Sequence, residues 1–313
     1  MTPAVTKRLP RYRRAPEGAR LLLTGRDLAI LEMVNEYRLA TSAHLQALAA
    51  GSNQGILRRL QKLFHAGFLD RLVRMPRQKA GSAKMVYALT NRGVRELQKE
   101  GLIQSVTATD WNAQNRDLHG YGIEHTLLIS QVRAVLESAC RKHPDMRIVA
   151  WQEGPTTFDA VEVALNNGYA RIPVAPDAFF GLEDPKGRSY FFLEADRGTM
   201  TVPRFARKLV AYAAYWRERR HEQKFAIRFF RVLTVTTSPR RTEHLVAAAR
   251  NADGVQGLGR LFLFTEEQRL RLDDPATIFT RIWTTPADAN PRSILGEGPQ
   301  PEKKGDTTWK TPS

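Results

Sequence analysis

Along the first hundred residues the apolar positions recur at helical spacing. Ile30, Leu31, Val34 and Tyr37 predict a helix over Gly25–Arg38, with Thr24 as its cap and Asp27 three residues further on. Thr41 or Ser42 opens a second helix holding Leu45 and Leu48. After a turn at Gly51, Ser52-Asn53-Gln54 leads into a third helix. Its apolar stripe is Ile56, Leu57, Leu60, Leu63 and Phe64, its opposite face carries Arg58, Arg59 and Lys62, and Gly67 ends it. The period then shortens: 68–74 and 84–90 read as two strands around a basic Pro/Gly loop, and Asn91–Lys99 reads as a closing helix.

Beyond a linker at 101–118, in which Trp111 suggests partial packing, the pattern becomes that of an α/β domain over 119–285. Tyr121–Cys140 is helical, with Ile123, Leu127, Val132, Val135 and Leu136 apolar. Strands follow at Arg147–Glu153, Val174–Leu182 and Ser189–Asp196. Thr201 caps the next helix, with Pro203 in its first turn and Phe205, Leu209, Tyr212, Ala213 and Trp216 as its buried stripe. A buried strand at Phe229–Thr236, a helix at Arg240–Asn251 and a strand at Arg260–Thr265 complete an αβββαβαβ order with a mixed sheet. The ends, 1–22 (a basic arm) and 286–313 (rich in Pro, Gly, Lys and Glu), are expected to be disordered.

The two strands on either side of Glu183–Arg188 carry the candidate chemistry. Pairing Glu183 with Arg188 across that turn-prone segment places Asp177 opposite Glu194, with Cβ atoms about 4.5–5.5 Å apart. Asp196 shares a strand face with Glu194. Three acids at one end of an apolar sheet repel unless a cation sits among them, and Mg²⁺ or Mn²⁺ with oxygen ligands is the simplest remedy. The alternative is structural: Asp196 begins a turn with Arg197-Gly198, and Glu194 pairs with Arg197 or Lys208.

Charge changes the picture in the N-terminal third. The chain carries +16, and residues 1–100 hold 19 Lys and Arg against 7 Asp and Glu, a net of +12. The remainder holds 29 against 25, only +4. Such a basic segment implies a polyanionic partner, and DNA is the expectation. The predicted order of helix, helix–turn–helix, hairpin and helix over 23–100 is that of a winged helix-turn-helix. Ser52, Asn53, Gln54, Arg58, Arg59 and Lys62 would then meet the groove, and Arg74, Arg77, Lys79 and Lys84 of the wing would meet phosphates. Use of the same fold for protein contacts is the alternative. Cys140 is the single cysteine, which excludes an internal disulfide and is compatible with a reducing cytosol. There is no clustered Cys/His set for zinc, no Walker A or Rossmann glycine pattern, no Gly-x-Ser-x-Gly, no signal peptide and no membrane-spanning run. A cytoplasmic location is expected.

Tyr87-x-Leu89-Thr90-x-x-Gly93 resembles the wing exit of many bacterial winged-helix repressors. Pro176-Asp177 followed by Glu194-x-Asp196 resembles the catalytic hairpin of the PD-(D/E)XK nuclease superfamily. More narrowly, the ordered set PDAFF, FFLEADRGT, KLVAY, FRVLTVTTSPRR and LFLFT over Leu23–Trp283 resembles the replication-relaxation family of mobile-element proteins, which includes relaxases of conjugative plasmids. The resemblance implies a restriction-endonuclease-like domain, metal-dependent DNA nicking, and partners among mobilisation or replication proteins. It also makes His125 a candidate at the site. Asp196 stands where the superfamily places a lysine, and in several branches that lysine has moved to the helix holding Lys208. Tyr121 and Tyr212 are the candidates for a covalent step. The alternative function is a non-catalytic DNA-binding regulator or replication accessory with a degenerate nuclease fold.

Overall fold

The computed structural model describes residues 11–14, 21–73, 84–104, 109–165 and 168–295. The chain divides into two compact units, 1–130 and 131–313.

The first unit runs α1 (Gly25–Tyr37), β1 (Ala40–Thr41), α2 (Ser42–Leu48), α3 (Asn53–His65), β2 (Leu69–Leu72), β3 (Val86–Leu89), α4 (Asn91–Lys99) and α5 (Trp111–Asp117) before entering α6 (Gly120–Lys142). Hydroxyl and carboxylate caps start the helices. Asp27 accepts from the Thr24 backbone N–H at 2.8 Å, Thr41 Oγ1 accepts from His44 N at 3.2 Å, and Ser52 Oγ accepts from Gly55 N at 3.1 Å. The three strands form an antiparallel sheet in the order β1-β3-β2. Ile30, Leu31, Val34, Leu45, Ile56, Leu60, Leu63 and Leu97 are fully buried within the unit.

Two segments are more ordered than their composition implies. Residues 111–117, assigned to a linker, form α5. Its Asn115 is buried and donates to Leu89 O at 2.7 Å and to the Asp70 carboxylate at 3.1 Å. Within the arm assigned to 1–22, Arg14 donates to Phe64 O at 3.0 Å and Leu69 O at 3.1 Å and pairs with Asp70 at 2.5 Å, so the exposed segment 11–14 is tethered to the unit. An arginine's donors satisfied two carbonyls at once where apolar content alone forecast disorder.

The Thr90-x-x-Gly93 spacing has a physical origin. Thr90 Oγ1 caps α4 by accepting from Gly93 N at 3.1 Å and donates to Gly67 O at 2.7 Å. A Cβ on Gly93 would lie 2.4 Å from Phe68 O and 2.9 Å from a Leu89 methyl. Gly93→Ala is therefore expected to cost about 1–3 kcal/mol, the usual range for forced overpacking. Denaturant unfolding checks this, and an unchanged midpoint would contradict it.

The second unit contains β4 (Arg147–Gln152), β5 (Asp159–Leu165), β6 (Gly168–Val174), β7 (Ala178–Asp184), β8 (Gly187–Ala195), α7 (Val202–Arg217), α8 (Arg220–Phe225), β9 (Arg231–Thr236), α9 (Pro239–Asn251) and β10 (Phe262–Glu266). Its five-stranded sheet has the order β10-β9-β8-β7-β4. β7 is antiparallel to both of its neighbours, β4 and β8, whereas β8, β9 and β10 run parallel. Every residue of β9 is buried, as befits a strand covered on both faces. Phe179, Phe192, Leu209, Tyr212, Val232, Leu245 and Phe264 belong to one apolar cluster between the sheet and the helices α7 and α9.

The hairpin strand expected to begin at Val174 begins at Ala178. Val174 instead ends a separate ribbon, β5–β6, that packs on α7. Exposed Glu162, Tyr169, Arg171 and Pro173 along the ribbon hid its pattern. The helix α8 is also additional, flanked by left-handed Arg219 and Ala226. The assignment of disorder from 286 fails for the described part of the tail. Trp283 and Arg292 exchange backbone hydrogen bonds, Ile294 is buried, and Arg231 Nη1 donates to Ile294 O at 2.7 Å. No helix among the described residues is long and apolar enough to cross a membrane.

Candidate functional site

The β7–β8 register fixes the site. Ala178 pairs with Leu193 and Asp184 with Gly187, so the pairing continues to Asp177 opposite Glu194, with Asp177 N donating to Leu193 O at 2.9 Å. The connection is a two-residue turn, Pro185-Lys186, rather than the six residues expected, and Asp184 Oδ1 caps it by accepting from Lys186 N and Gly187 N. Because β8 and β9 are parallel, their C-terminal ends meet at one sheet edge, the usual place for a ligand in such sheets.

At that edge Glu194 is buried. Lys208 Nζ donates to its Oε2 and the Tyr212 hydroxyl to its Oε1, both from α7. Asp177 Oδ2 accepts from Ala195 N at 2.7 Å. Burial pushes the Glu194 carboxyl up to about 7; Lys208 opposes that rise and Asp177 adds to it. Burial also disfavours the Lys208 ammonium, but Glu194 and Asp177 outweigh it and raise its pKa. The Tyr212 hydroxyl is held well above its ordinary range by burial and then by Glu194. Thr234, paired with Glu194 in the register, has a buried hydroxyl without a partner among the described residues.

Asp196 departs from the expected metal trio. Its two oxygens accept from Arg241 Nε at 2.7 Å and Nη2 at 3.0 Å, and the same guanidinium donates to Met200 O. A bidentate arginine satisfies the carboxylate that was expected to join the ion. Among the described residues no group of three or more His, Cys, Asp or Glu side chains is arranged to hold a metal ion. Asp177 and Glu194 remain as a pair of hard oxygen donors. One or two carboxylates completed by water and phosphate are what Mg²⁺ ordinarily takes, and the orphan Thr234 hydroxyl marks polar capacity beside them. His125 is half-buried on α6 in the first unit. Tyr212 is fully buried, and Tyr121 is 64% exposed.

The replication-relaxation family model matches residues 31–228, well over half of the 313-residue chain. The chain belongs to the replication-relaxation family. The matched span includes Asp177, Glu194, Asp196, Lys208 and Tyr212, whereas Arg241 lies outside it. This replication-relaxation protein is also similar to restriction endonuclease FokI in a solved structure, at 11% identity and a TM-score of 0.28, over 80% of this chain and 43% of that one. The chain thus spans less than half the length of that endonuclease. No curated protein matches it.

The candidate DNA face of the replication-relaxation protein lies on α3. Asn53, Gln54, Arg58 and Lys62 are exposed there, and Lys84 is exposed before β3. Ser52 is spent as the α3 cap. Arg59 is corrected: it binds fully buried Asp27 through both nitrogens, with Nε 2.6 Å from Oδ1, and holds α3 to α1 instead of facing outward. Arg74, Arg77 and Lys79 lie outside the described residues.

Two residues escaped the sequence reading, Arg241 and the role of Tyr212. Parallel pairing of β8 with β9 was the missing signal for the first, because it carries the start of α9 to the end of β8. For the second the signal was present: Lys208 and Tyr212 are four residues apart and share a helix face.

Proposed function

We propose that this protein binds duplex DNA through a winged helix-turn-helix in its first unit and nicks it at a PD-(D/E)XK-like site in its second, in the replication or mobilisation of a plasmid or integrative element. The observation that carries the catalytic part is half-buried Asp177 set opposite buried Glu194, whose carboxylate accepts from Lys208, at the sheet edge. Asp177 and Glu194 would hold Mg²⁺ or Mn²⁺. Such an ion polarises a phosphate and acidifies a bound water. Lys208 supplies the positive charge that the strand lacks at Asp196 and would stabilise charge on the phosphate oxygens. Tyr212 orients Glu194 from below, and the Asp196–Arg241 pair fastens the end of β8 to α9.

The element order α1, α2, α3 and a three-stranded antiparallel sheet supports the DNA-binding part, together with the polar outer face of α3. Arg58→Ala and Asn53→Ala are expected to lower discrimination between a preferred site and random duplex by about 1–3 kcal/mol each, as loss of a base-edge contact does. Lys84→Ala should weaken both duplexes alike and reduce the salt slope by roughly one. Anisotropy titrations at several salt concentrations separate these. Identical effects of all three changes on both duplexes would remove α3 as the reader.

A second reading, a non-catalytic regulator or replication accessory, is favoured by one observation: both Glu194 oxygens and both Asp196 oxygens are already hydrogen-bonded within the protein. Conversion of supercoiled plasmid to the open-circular form with Mg²⁺ or Mn²⁺ decides between them. Salt-sensitive DNA binding with no nicking under either ion would establish the accessory role.

A further inference from the structure

The second unit carries another concave site, which the carboxylate cluster does not use. A cavity of about 500 Å³ opens between the end of α7, the helix α8 and the segment entering β9. One wall is a stack of rings. His221 lies parallel to Trp216 with centroids 5.0 Å apart and 2° between planes, and Trp216 stacks on Phe229 at 5.7 Å. Phe230 closes the stack edge-on, 5.4 Å from Trp216 and 5.0 Å from His221. Exposure rises from His221 at 2% through half-buried Trp216 to Phe229 at 36%. Phe229 therefore shows solvent a ring that is braced by its neighbours. His221 is itself fixed, with Nε2 3.0 Å from Arg228 O.

Cations surround the rings: Arg217, Arg219 and Arg228 line the cavity against a single acid, Glu222. Arg219 is held in place by Glu222 at 2.8 Å. Arg217 donates to the carbonyls of Gly254 and Gln256, neutral acceptors that orient its charge without cancelling it. The backbone is unusual at the same place. Of the three described non-glycine residues with positive φ, two bracket α8, Arg219 at 55° and Ala226 at 53°. Such conformations persist only where the surroundings over-determine them, and they gather at functional sites. An apolar guest would leave the three arginines idle, and a bare anion would leave the rings idle. A planar π-system attached to phosphates uses both.

We infer that this cavity takes an unpaired base of single-stranded DNA, stacked on Phe229, with the adjoining phosphates against Arg217 and Arg228. A base inside a duplex has no free face to offer, so the site selects a melted or nicked strand. The inference stands apart from nicking at Asp177 and Glu194 and from duplex reading by α3.

The test uses the full-length protein and a short fluorescein-labelled oligothymidylate in anisotropy titrations. Phe229→Ala is expected to weaken binding roughly 5- to 150-fold, since one base–aromatic stack is worth about 1–3 kcal/mol. Phe229→Trp should restore binding. An abasic strand of the same length should bind the unmodified protein as weakly as oligothymidylate binds the alanine variant. Duplex affinity should be the same in all variants. Should the alanine variant melt early, Phe229→Leu fills the space without a π face and is expected to show the same loss. Equal affinity of unmodified and Phe229-substituted protein for oligothymidylate, or equal affinity for thymidylate and abasic strands, overturns the inference. Loss of duplex binding with oligothymidylate binding intact would count against α3 and leave this site standing.

Discussion

Arg59→Ala is expected to destabilise the N-terminal unit by about 3–5 kcal/mol, the cost of stranding one partner of a buried ion pair. Asp27 is completely buried, and Arg59 meets both of its oxygens. Burial alone would raise the Asp27 pKa, but the hydrogen bonds from Arg59 and Thr24 outweigh it and the carboxyl sits below its ordinary range. A depressed carboxylate contributes stability that is complete above its unfolded-state value, about 3.9, and is lost as pH falls through its folded value. Unmodified protein should therefore lose stability on acidification below about pH 4, and Arg59→Ala should lack that part of the acid limb. Arg59→Lys keeps the charge but not the two-pronged geometry and should fall between. Urea unfolding across pH measures all three. A loss under 1 kcal/mol for Arg59→Ala would show that Asp27 finds other donors. Because the variant also loses a basic residue of α3, its DNA affinity is informative only under conditions where it is folded.

Asp177→Asn and Glu194→Gln are expected to reduce metal-dependent nicking by more than about 100-fold, beyond the 10–100-fold cost of losing a group that merely supports a metal ligand. Salt-dependent duplex binding, assigned to the other unit, should persist in both. Their stabilities should differ. Glu194→Gln leaves an acceptor for Tyr212 but deprives Lys208 of its charged partner, so a cost of about 1–3 kcal/mol is expected. Asp177→Asn relieves the charge that Asp177 places beside Glu194 and should be close to neutral. Plasmid nicking with each ion, run beside thermal melts, separates loss of chemistry from loss of fold. Undiminished nicking by either variant would exclude these carboxylates as the site. If the variants unfold instead, the pair is structural and the accessory reading gains.

The helices and the hairpin register were legible because local chemistry fixed them. Thr24 and Thr41 announced where helices begin, and one turn set which acids oppose one another. What escaped depended on partners distant in sequence. Arg59 reads as an outward cation until Asp27, 32 residues earlier, is found beneath it. Asp196 reads as a metal ligand until Arg241 arrives from 45 residues away. The β5–β6 ribbon escaped for a different reason, since Pro173 and the exposed Tyr169 and Arg171 break up the apolar run along β6. Ile294 shows the converse, one buried residue anchoring a stretch whose composition reads as unfolded.

The turn at Pro185-Lys186 has a consequence for how this chain tolerates change in length. Solvent-facing loop tips normally accept insertions. Here Pro185 and Lys186 are exposed, yet they act as a ruler for the far end of the hairpin, about 23 Å away at some 3.3 Å per residue. Side chains alternate with a period of two, so an added residue that slid one strand by a single position would bring Asp177 beside Leu193 or Ala195 instead of Glu194 and turn that strand's faces over. A single-codon insertion in that exposed turn is thus as damaging to the carboxylate pair as a substitution inside it, whereas one that bulges out and spares the pairing would be silent.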